Sequence, residues 1–165
     1  MKRKTEVVLI GAIFLILILM FYFYIFNSMD NQINLTKILS QEDIPPEMII
    51  LGNSLGNLSN NSEIVKSAFN IVDEKYTSER FYYLREPVST IFINNISEMW
   101  RGISDRPCNI QSLMLKILLL ESRRFSEEDI IPHYSLSGLT PHQILRIRVD
   151  ERWISADVFY SKLSV

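Results

Sequence analysis

Hydrophobic and polar positions divide the chain into unlike stretches. Residues 7–26, opening at Val7 and closing at Phe26, carry no charge. A helix of about 20 residues at about 1.5 Å rise crosses the ~30 Å hydrocarbon core of a bilayer. Positions 62–76 repeat apolar residues with a helical period. Ile64, Ala68, Ile71 and Val72 form the stripe, with Ser62 as cap and Glu63 in the first turn. Positions 110–120 do so more densely. Ile110, Leu113, Met114, Ile117 and Leu118 mark one helical face, and Leu115, Leu119 and Leu120 widen it. This helix is therefore predicted to be buried on most sides. Pro107 suits its first turn, having no N–H to leave unpaired, and Ser104 or Asp105 suits its cap.

Towards the C-terminus the period changes to two. Positions 142–149 and 153–160 both alternate, with Asp150 and Glu151 between them, which predicts an antiparallel hairpin. One face carries Leu145, Ile147, Val149, Ile154, Ala156 and Val158; the other carries His142, Ile144, Trp153, Asp157 and Phe159. With a two-residue turn, Val149 opposes Arg152 and Ile144 opposes Asp157. His142 is then diagonal to Asp157 on one face.

The remaining segments are read as connections. Positions 27–46 are polar and end in Pro45-Pro46, which predicts a stalk with a short helix around 35–39. Gly, Asn and Ser dominate 51–61, predicting a loop. Positions 76–87 are aromatic and charged and give no clear period. Positions 89–100, with Ile91, Phe92, Ile93, Ile96 and Trp100, fit a short helix or strand, and 102–106 a turn. A short strand is expected near Ile130, Ile131 and Tyr134, followed by a Ser/Gly/Pro loop at 136–141. The organisation expected is a cytoplasmic tip and anchor at 1–27, a linker at 28–61 and one α+β domain at 62–165.

Charge sets the orientation of the anchor. Lys2, Arg3 and Lys4 precede the apolar run, whereas Asp30, Glu42 and Asp43 outnumber Lys37 after it. The positive-inside rule then leaves a short cytoplasmic N-terminus and places the C-terminal domain outside the cytoplasm of a single-pass cell-membrane protein. A cleaved signal peptide is the rival. Its apolar region is usually about 7–15 residues, and no small-x-small cleavage site follows here. Tyr22 and Tyr24 lie where amphipathic rings favour the interface. The N-x-[ST] triplets at Asn34, Asn57, Asn60 and Asn95 accept glycans only in a host with the machinery.

Composition narrows the chemistry. The net charge of −2 gives no sign of nucleic-acid binding. One cysteine among 165 residues excludes an intrachain disulfide and a multi-cysteine zinc site, and two histidines alone cannot build a dense metal cluster. No dinucleotide, P-loop or HExxH motif occurs, so no cofactor is expected. What remains is Cys108 at the head of the buried helix, where the helix end favours thiolate, and His142 and Asp157 on one sheet face. Nucleophilic acyl transfer needs these three groups. The thiol needs an imidazole within hydrogen-bond reach, and the imidazole needs a carboxylate to fix its ring. Backbone N–H groups at the helix start can hold the oxyanion. The plain alternatives are a small core cysteine, a histidine satisfied at a strand start and a carboxylate bonding loop amides. His133 is the other candidate base. Trp100 and Trp153 are expected in the core, and Arg146 and Arg148 on a solvated sheet face.

The run from Cys108 to Pro141-His142-Gln143-Ile144-Leu145, and on through Asp150-Glu151-Arg152-Trp153 to Asp157, resembles the transglutaminase-like superfamily. Its members place a Cys at the head of a helix. A His opens a strand, and after a short turn a Trp precedes an Asp on the returning strand. The resemblance covers roughly residues 62–160. It implies a papain-like core with a central helix on a small antiparallel sheet, Cys108 as nucleophile, His142 as general base and acid, and Asp157 as orienting residue. It also implies a protein or peptide substrate acted on at amide bonds by hydrolysis or transfer. The family often has Gly before the Cys, a small residue after the His and Pro after the Asp. This chain has Asp105-Arg106-Pro107, Gln143 and Val158 instead. Because the family includes inactive members, a catalytically silent binding or scaffold module on the membrane is the alternative. A purely structural ectodomain is a third.

Overall fold

The computed structural model describes residues 2–37, 40–76, 95–101, 106–137 and 140–164. Among them, five α-helices, the first of them apolar, and a four-stranded antiparallel sheet form an α+β architecture. That helix, α1, spans Lys2–Ile33. By length and composition it can cross a membrane, and none of its most apolar window is buried. It does not end where the apolar run ends. Met29, Gln32 and Ile33 in its last turns are all buried.

The stalk expected at 28–61 is therefore corrected. After α1 a 3-10 turn covers Asn34–Lys37, and helix α2 runs over Pro46–Gly56, burying Met48, Gly52 and Leu55. Pro46 opens α2, where a missing N–H does no harm. The loop expected at 51–61 is helical through Gly56 for a steric reason. A Cβ at Gly52 would lie 2.3 Å from the Glu121 Cβ, and one at Gly56 2.4 Å from the Ser122 carbonyl oxygen. These glycines let backbones approach rather than bend.

Helix α3 (Asn61–Tyr76) buries Ile64, Val65, Ala68, Phe69, Val72 and Tyr76. Its cap is Asn60, whose Oδ1 accepts the Glu63 N–H at 2.8 Å, rather than Ser62. Helix α4 is Ile96–Arg101, with Met99 and Trp100 buried as expected for Trp100. The expectations for 77–94, including Ile91, Phe92 and Ile93, and for Ser104 and Asp105, lie outside the described residues.

Helix α5 (Cys108–Glu121) is buried at every position from Cys108 to Leu119. It packs on the sheet through β2 and on α1, α2 and α3. Lys116 sits in its middle, 2% exposed, with Nζ 2.6 Å from Glu127 Oε2 and donating to the Ile33 carbonyl at 3.4 Å. Glu127→Ala leaves that ammonium buried without its carboxylate. It is expected to lower unfolding free energy by about 2 kcal/mol, below the usual cost of breaking a buried pair, because the Glu127 side chain is 32% exposed. Lys116→Met keeps the volume and should lose less, with urea midpoints in detergent as the measurement. A larger loss for Lys116→Met than for Glu127→Ala would contradict this account.

The strands are β1 (Ile130–Ser137), β2 (Thr140–Val149), β3 (Arg152–Asp157) and β4 (Lys162–Ser164), hydrogen-bonded in that order. The loop expected at 136–141 is mostly strand: Leu136 pairs with Pro141 and Ser137 with Thr140. The β2–β3 register follows the pattern reading, Val149 opposite Arg152 and Leu145 opposite Ala156. Asp150 and Glu151 adopt φ of 46° and 66°, the left-handed pair that matches strand twist in a two-residue hairpin. Leu145, Ile147, Val149, Ile154, Ala156 and Val158 are buried. Trp153 is not in the core. It is 40% exposed, with the Arg146 guanidinium 5.6 Å from its ring centre. Arg148 pairs with Asp129, Nη2 to Oδ1 at 2.6 Å.

Candidate active site

The site forms where the head of α5 meets the opening of β2. Pro107, with φ −62° and ψ 159°, is the residue before the helix, so Cys108 is its first residue. The Ile110 and Gln111 N–H groups bond the Pro107 carbonyl at 3.0 and 3.2 Å. Those of Cys108 and Asn109 come earlier than any helical carbonyl can reach. Ser112 donates to the Gln143 carbonyl at 3.5 Å, and the Gln143 N–H donates to the Cys108 Sγ at 3.4 Å. The sulfur is thus held against β2 one residue beyond His142.

On the other side of the imidazole stands Asp157. His142 Nε2 lies 2.9 Å from Asp157 Oδ2. The diagonal expected from the hairpin pattern is thereby closed. Asp157 Oδ1 accepts the Tyr160 N–H at 3.2 Å, which fixes the carboxylate in the turn after β3. Cys108 is the other neighbour that, with Asp157, raises the pKa of the ring. The structure therefore brings His142 onto Asp157 and sets the Cys108 sulfur on the backbone of the next residue, Gln143. His133 lies exposed on β1 opposite Ile144.

Burial opposes charge on His142. The hydrogen bonds and negative charge of Asp157 and Cys108 outweigh it, and its pKa is pushed up to about 10 from 6.5. The ring is thus an imidazolium at neutral pH, with a proton on each nitrogen. Because the folded-state pKa is raised, the stability His142 contributes is fully present below pH 6.5 and is lost as pH rises through about 10. Across that window unfolding free energy is expected to fall by at most about 1.4 kcal/mol per pH unit. Denaturant midpoints for wild type and His142→Asn check this, the variant giving the flatter profile. Parallel profiles would show that the ring's charge is not linked to folding.

Phe159, which the alternation places on the His142 face, and Tyr160, which it does not, flank His142 with ring centres 5.8 and 5.0 Å away. Cys108 is 6% exposed and His142 7%. Asn109, Gln111 and Ser112 are buried polar residues in the first turns of α5. Asn109 Nδ2 donates to Gln32 Oε1 at the end of α1, and Gln111 Nε2 donates to the Arg106 carbonyl at 2.7 Å. A polar trio in the first turns of a helix that is apolar from Leu113 to Leu120, Lys116 apart, is the signal in the sequence. No group of three or more His, Cys, Asp or Glu able to hold a metal occurs among the described residues. No protein-family model matches the chain, and neither does any curated protein or solved structure.

Proposed function

We propose that this chain is a membrane-anchored thiol enzyme of the transglutaminase-like type, acting outside the cytoplasm on amide bonds of proteins or peptides. The carrying observation is the imidazole of His142, 2.9 Å from Asp157 through Nε2, beside a Cys108 sulfur that accepts the N–H of the adjoining Gln143. A helix capped by a nucleophile and packed on an antiparallel sheet also supports a papain-like core. In this reading the Cys108 thiolate attacks the amide carbonyl carbon. The N–H groups of Cys108 and Asn109, unpartnered within the helix, steady the oxyanion. The carbon–nitrogen bond breaks as His142 gives its proton to the leaving amine, leaving a thioester on Cys108. Water or an amine then attacks the thioester, His142 takes the proton of the attacking group, and the thiolate leaves. α1 is the anchor, with the basic residues of its first turn in the cytoplasm, and no cofactor enters any step.

Alkylation with iodoacetamide tests this, since Cys108 is the only cysteine in the chain. Near pH 7 Cys108 is expected to react at least tenfold faster than a free thiol, of which only a few per cent is thiolate. A second reading, a catalytically silent module, draws on the low exposure of Cys108 and His142 beneath Phe159 and Tyr160. A rate at or below that of a free thiol would favour it and end the first.

A further inference from the structure

Both halves of the site are fastened to the same short piece of α1. On the nucleophile side, Asn109, the neighbour of Cys108, donates to Gln32. On the base side, Tyr134 is paired across β1–β2 with Gln143, whose N–H holds the sulfur. The Tyr134 hydroxyl donates to Asp30 Oδ1 at 3.0 Å, and its ring packs edge-on against Phe26 at 6.0 Å between centres. Phe26 closes the apolar run. Helical rise puts Gln32 only about 9 Å above Phe26 along the helix axis. Because α1 is one continuous helix from the apolar run to Ile33, no joint lies between membrane and site.

We infer that α1 is a ruler as well as an anchor: the substrate is a polypeptide held in the same membrane, attacked at an amide about 10–15 Å above the hydrocarbon boundary. This rests on the thiol-enzyme reading above and adds the substrate class to it. Amides within lipids lie at the boundary itself, below Gln32. Backbone and side-chain amides of a segment rising from the membrane pass at the height of Cys108. A chain free in solution reaches the site only against the exclusion of the adjoining bilayer.

The test uses full-length protein in phosphatidylcholine vesicles and a peptide capped with chloroacetamide. A palmitoyl chain anchors the peptide through five or twenty prolines, spacers of about 15 and 60 Å at about 3.1 Å per residue. The two probes have equal surface concentration and differ in height. Cys108 is expected to be alkylated at least tenfold faster by the short-spacer probe than by the long one. Equal rates, or a faster long-spacer probe, would overturn the inference. So would a chloroacetamide joined directly to the acyl chain outpacing both, because it would place the target at lipid depth. A soluble iodoacetamide rate no better than a free thiol removes the enzymatic reading yet leaves the spacer ratio readable. A spacer ratio of one leaves a fast iodoacetamide reaction standing.

Discussion

Asp157→Asn is expected to lower amide turnover by on the order of 10⁴-fold, the loss an orienting carboxylate's removal causes in acyl-transfer triads, and to bring the alkylation rate of Cys108 near pH 7 down towards that of a free thiol. The amide keeps the shape and can still accept the Tyr160 N–H. What it removes is the negative charge 2.9 Å from Nε2. Without it, burial of the ring pulls the other way, and the His142 titration is expected to drop from about 10 to well below that value. The new amide N–H would donate to Nε2 and hold the neutral ring's one proton on Nδ1, the wrong tautomer for taking a proton there. His142→Ala should lose about as much, and the double variant little more, because groups acting as one unit do not add. Imidazole NMR shifts followed against pH read the titration, and circular dichroism of the same variant separates the effect from a structural loss, since an unfolded chain would also titrate near 6.5. If Asp157→Asn kept both the titration near 10 and the wild-type alkylation rate, Asp157 would have no orienting role.

The parts of this arrangement that the sequence revealed share one property: their pattern is local. Period-two alternation on both sides of Asp150-Glu151 sets the hairpin register without further information, and the register brings His142 to Asp157. The apolar density of 110–120 announces a buried helix with Cys108 at its head. What stayed hidden depends on partners far along the chain. Met29 and Ile33 are four apart and belong to a buried face, but Asp30, Asn31 and Gln32 between them look like a stalk. Gln32 is buried because Asn109 receives it, which nothing near position 32 announces. Lys116 is a charge in an apolar helix, acceptable only because Glu127 comes back to meet it. Trp153 misled in the opposite direction. An indole alternating with apolar residues suggests core, yet it lies on the outer face under Arg146.

The helix α2 shows most clearly how a distant contact reverses a local rule, and it sets the second large effect. By propensity alone Gly52→Ala should stabilise the protein by about 0.8–1 kcal/mol, since Gly52 lies inside α2. The added Cβ, however, would meet the Glu121 Cβ at 2.3 Å, with the Glu121 carbonyl carbon at 3.0 Å and its Cα at 3.2 Å. Cβ and backbone atoms cannot turn aside as a side-chain tip can, so α2 must lift from α5. That separation loosens Met48 and Leu55, which are 0% and 4% exposed. The net result expected for Gly52→Ala is a loss of about 2–3 kcal/mol, overpacking outweighing propensity. Since α5 carries Cys108 at its other end, the iodoacetamide rate should stay nearer wild type than the unfolding midpoint does. Adding Glu121→Gly removes the nearest of the three contacts and should restore part of the loss, beyond what two independent destabilising changes allow. Thermal unfolding of the full chain in detergent micelles, followed by circular dichroism, reads both effects. A higher midpoint for Gly52→Ala alone would mean that the two helices do not touch as closely as described, and that α2 gains only from helix propensity.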